Sequence, residues 1–129
     1  MTTYDWDLIE RLLHEVQNGG VSFAPRKYAE EEATKRTAAG ESIGNLDEFK
    51  KLAADYEGLL FTRGFIESRS EKECGNGENF KLTLRGSQLL SLIDSSIPGE
   101  SHPRQVLDEQ ADALDPATFD EVASKAQIA

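Results

Sequence analysis

The apolar pattern between residues 45 and 95 changes period twice, and that double switch constrains the fold more than any other feature. Over 45–63, Phe49, Leu52, Ala53, Tyr56, Leu59 and Leu60 recur at three and four, the spacing of one helix face. Asn45 with Glu48 three residues later has capping-box spacing, with Asn in place of Ser or Thr. Gly64 stops the helix and "FIES" turns extended. An Asn76-Gly77 pair then signals a hairpin, and Thr83 caps a second helix with Leu89, Leu90, Leu92 and Ile93 on its inner side. A helix, a hairpin and a helix in so short a span predict an antiparallel ribbon packed on helices.

Two hairpin registers compete. A two-residue Asn76-Gly77 loop pairs 74 with 79 and puts Arg69, Glu71 and Glu73 on the face of Phe80, Leu82 and Leu84. A three-residue loop over Gly75-Asn76-Gly77, with Gly77 left-handed, pairs 74 with 78 and puts Ile66 and Cys74 there instead. The second buries better side chains and is the expected one.

Upstream, 5–18 reads as an amphipathic helix. Asp5 caps it, Trp6, Ile9, Leu12, Leu13 and Val16 face inward, and Gly19-Gly20 ends it. "VSF", 21–23, fits a short strand. Pro25 opens a polar helix over 25–39, with Glu31–Lys35 and Glu32–Arg36 in the favourable i,i+4 order and a thin apolar side of Tyr28, Ala29 and Ala33. Beyond a linker at 96–103 lie two helical patterns, "RQVLDEQADAL" and "PATFDEVASKAQ", the latter capped by Asp115. Each is too short to stand alone, so they dock on the domain, on a second subunit or on nothing.

This order resembles that of a winged-helix domain. The expected fold class is therefore α+β, a winged helix-turn-helix-like domain over 4–95 with a polar helical insertion at 24–44, followed by an acidic helical tail at 96–129. Three stretches also resemble a small phage- and prophage-associated bacterial family of uncharacterised function. They are a D-x-x-L-x-R-x-L-L-like start (Asp5 to Leu13), an L-x-x-x-G-L-I-E-like helix end (Leu60 to Glu67) and L-T-x-x-G-x-x-x-L after the wing (Leu82 to Leu90). The resemblance spans roughly 4–95 and implies a phage or mobile-element origin in a bacterial host, not an activity.

Charge narrows the function. The formal net charge is −10, and the last stretch, 96–129, holds seven acids against two bases. Affinity for phosphates is built from Lys and Arg, and no basic run here exceeds a pair. The hairpin tip, "EKECGNGEN", is acidic where a backbone-gripping wing would be basic. The mean hydropathy of −0.52 and the single cysteine, Cys74, fit a cytoplasmic protein without a membrane span or an internal disulfide.

Chemistry is sparse. His14, His102 and Cys74 lack metal-ligand spacing, no phosphate loop is present, and neither an enzyme nor a cofactor is expected. The leading expectation is a phage-type binding protein, an acidic inhibitor of a host nucleic-acid-handling or defence complex such as a CRISPR effector. It would use Glu30, Glu31, Glu32, Asp47, Glu48, Asp55, Glu57, Glu71, Glu73 and Glu78 against a basic surface, in the manner of a DNA mimic. The alternative is a DNA-binding regulator using Lys50, Lys51, Arg69, Lys72 and Lys81. Tyr4, Trp6, Tyr28, Tyr56 and Phe61 are core aromatics or anchors for a partner or a homodimer.

Overall fold

Capped amphipathic helices dominate the chain. A computed structural model describes residues 4–18, 24–69, 72, 79–93 and 103–128. It shows a mixed α/β fold of helices around a small two-stranded antiparallel sheet. In order, the elements are α1 (Trp6–Asn18), α2 (Pro25–Ala38), α3 (Leu46–Thr62), β1 (Ile66–Ser68), β2 (Phe80–Leu82), α4 (Leu84–Ile93), α5 (Pro103–Asp108) and α6 (Pro116–Ile128). Residues 21–23 and 73–78, and with them the expected strand and the Asn76-Gly77 turn, lie outside the described residues.

Each helix start has a physical cause. Asp5 accepts the Leu8 amide at 3.1 Å, Asn45 the Glu48 amide at 3.2 Å, and Asp115 the Thr118 amide at 3.2 Å. These bonds satisfy backbone donors that a first turn leaves without partners. α2 has no side-chain cap and begins instead at Pro25. It is seated rather than free-standing. Ala29 and Ala33 are buried against the neighbouring helices, and Arg36 bridges back to Asp5 through paired bonds of 2.8 and 2.9 Å.

The sheet corrects both expected registers. Ile66 pairs with Leu82, Glu67 with Lys81 and Ser68 with Phe80, so the ladder is centred on position 74 rather than on Asn76-Gly77. Ile66 does share a face with Phe80 and Leu82. Leu84 does not, because it has entered α4 and is 78% exposed. The register is fixed at the base. The Thr83 hydroxyl donates to the Gly64 carbonyl at 2.6 Å and accepts the Gly86 amide at 3.1 Å, while the Thr83 amide bonds the Phe65 carbonyl. Gly64, at φ +80°, makes the left-handed turn that brings α3 into β1.

The tail docks on the rest of the chain. Leu107, Ala113, Leu114, Phe119, Val122 and Ala123 are buried in the same core as α1, α3 and α4. Phe119 meets Phe65 edge to face at 5.1 Å. Polar ties add direction: Trp6 Nε1 donates to Asp108, the Tyr4 hydroxyl and Arg63 both donate to Asp112, and Arg85 forms a two-pronged pair with Asp120. The first tail helix is shorter than its apolar pattern suggested and stops at Asp108. Among the described residues no helix is long and apolar enough to cross a membrane.

Candidate functional site

The ten candidate carboxylates divide into three groups. Glu71, Glu73 and Glu78 lie outside the described residues. Glu30, Glu31 and Glu32, on α2, are engaged inside the fold. Glu30 pairs with Lys50 at 3.2 Å, Glu31 with Arg11 at 3.1 Å, and Glu32 is buried against Arg36 at 3.3 Å. Glu30 and Glu31 join helices and Glu32 pairs within α2, so all three are poor candidates for a partner. The third group, Asp47, Glu48, Asp55 and Glu57, lies on α3 and forms no ion pair among the described residues.

Helix periodicity explains how α3 presents them. Phe49, Ala53, Tyr56 and Leu60 point into the core, with Leu52 and Leu59 beside them. The opposite arc carries Asp47, Glu48, Lys51, Asp55, Gly58, Phe61 and Thr62, all exposed. Glu57 sits on the flank, half-buried, and burial raises its pKa above the usual carboxylate value. Asp47 and Glu48 occupy the first turn, where the helix dipole favours negative charge.

The five candidate bases do not assemble a strip of free cations. Lys50 is held by Glu30, Lys81 by Glu67 across the sheet at 3.4 Å, and the Arg69 Nε by the Phe80 carbonyl at 2.8 Å. Lys51 and Lys72 are exposed. Of the aromatics, Tyr4, Trp6 and Tyr56 form one buried cluster with ring centroids 5.4 and 5.9 Å apart. Tyr28 is half-buried under the Arg11 guanidinium. Only Phe61 of the five stays largely open, at 45%, in a T-shaped contact with Phe80.

Residue-by-residue reading missed the arginine–aspartate pairs that fasten the tail. Arg63 and Asp112 are 2.8 Å apart but 49 positions apart in the chain, and no local pattern links them. At Asp112, burial pushes the carboxyl up, but the bonds from Tyr4 and Arg63 outweigh it and hold the pKa below its usual value. Burial, then the bond to Asp112, pushes the Tyr4 phenol up to about 12. The bond from Arg85 lowers the Asp120 carboxyl. So the tail's acids, which sequence composition offers as a solvated negative surface, are in part structural.

Two clefts border these elements. One, of about 460 Å³, lies between α4 and α6 and is lined by Gly64, Thr83, Leu84, Arg85, Gln88 and Asp120, among others. The other, of about 430 Å³, lies between α1 and α2, and its Arg11, Glu32 and Arg36 already pair with groups of the fold. Among the described residues no three His, Cys, Asp or Glu side chains cluster to hold a metal ion. No family model, curated protein or solved structure matches this chain.

Proposed function

We propose that this chain is a non-enzymatic binding protein that docks the outer face of α3 on a basic surface of a partner protein. The observation that carries the reading is the unequal use of charge. The four α3 carboxylates form no ion pair among the described residues, whereas Lys50, Arg69 and Lys81 are each engaged within the fold. A partner's Lys or Arg side chains would find acceptors on α3 without breaking a bond inside this chain.

The frame for this face is a winged-helix-like domain. The order α1, α2, α3, β1, β2, α4 supports it, with α2 and α3 as the helix-turn-helix pair and β1–β2 as the base of the wing. On that frame α3 is the helix that a DNA reader would turn toward a groove. Its exposed arc holds Asp47, Glu48 and Asp55 against Lys51, the wrong sign for phosphate.

Charge density separates docking from imitation of a duplex. From Asp47 to Asp55 the helix rises about 12 Å. A DNA duplex carries about seven phosphates over that length. α3 offers fewer than half as many carboxylates, so it suits a few discrete basic side chains better than a channel shaped for a whole duplex. An acidic inhibitor of a host nucleic-acid-handling or defence complex, with the phage origin that the sequence resemblance implies, is the sharper form of this proposal.

The test is a pair of binding measurements. Gel shifts with duplex DNA at low salt are expected to show no complex. Pull-down from a bacterial lysate is expected to retain a protein that the Asp47→Lys, Asp55→Lys double variant loses. Tight DNA binding that weakens as salt rises would overturn the proposal in favour of a regulator.

A further inference from the structure

We draw no further inference here: the strongest candidate, the cleft of about 460 Å³ between α4 and α6 that the exposed Leu84 lines, has its Arg85 already paired with Asp120, and nothing in the structure shows what covers it.

Discussion

Gly86 packs so tightly under Phe65 that a Cβ on Gly86 would meet the Phe65 carbonyl oxygen at 1.9 Å and its carbonyl carbon at 3.0 Å. The contact is backbone against backbone, so no side-chain rotation relieves it. Gly86→Ala is expected to cost about 3 kcal/mol or more, as overpacking at an unyielding site does. Urea denaturation followed by circular dichroism measures it. A loss below 1 kcal/mol would show that α4 can shift away from β1 freely.

The tail's fastening predicts a pH effect. Asp112 and Asp120 have folded pKa values below their unfolded ones. Such groups contribute stability that is present above the unfolded value, about 3.9, and is lost as pH falls through the folded value. Asp112→Asn should therefore destabilise at pH 7 and flatten the stability profile on the acid side. Emission from Trp6, buried and bonded to Asp108, reports the tail's release as a red shift. An Arg63/Asp112 double-mutant cycle should return about 1 kcal/mol or less, because both side chains keep partial contact with water.

Glu57 works in the opposite sense. Burial raises its folded pKa, so its charged form is disfavoured by folding. That penalty is absent at low pH and present at neutral pH. Glu57→Gln should raise the Tm at pH 7 and leave it nearly unchanged at pH 3. Equal shifts at the two values would show that charge is not the cause.

Two leucines five positions apart should respond very differently. Leu84 is 78% exposed and Leu89 is fully buried. Leu89→Ala should cost about 2–5 kcal/mol by leaving a cavity. Leu84→Ser should fall within about 0.5 kcal/mol of the parent, the usual range for surface changes. Chemical denaturation of the two variants side by side checks both values.

Local rules made much of this legible. The caps at Asp5, Asn45, Thr83 and Asp115 could be read because each bond spans only three residues. The inward faces of α1 and α3 followed from helical spacing. The hairpin register did not follow from the Asn76-Gly77 signal, because the Thr83–Gly64 bond at the hairpin base sets it and that bond links two elements. The carboxylates behaved similarly. The Glu32–Arg36 pair is local and was legible, but nothing local to Glu30 or Glu31 announces Lys50 or Arg11, which lie on other helices, and the lack of ion pairs at Asp47, Glu48, Asp55 and Glu57 among the described residues emerges only once the packing is known.

The bonds from Tyr4 to Asp112 and from Trp6 to Asp108 join positions 108 and 102 residues apart. Contacts so distant in sequence carry a large loop-closure cost and slow folding. During synthesis, the first helix emerges long before the segment that covers it. A nascent chain stopped at residue 93 would leave Trp6 and Phe65 without Asp108 and Phe119. Final closure of the core therefore waits until the segment from Asp108 to Phe119 has left the ribosome.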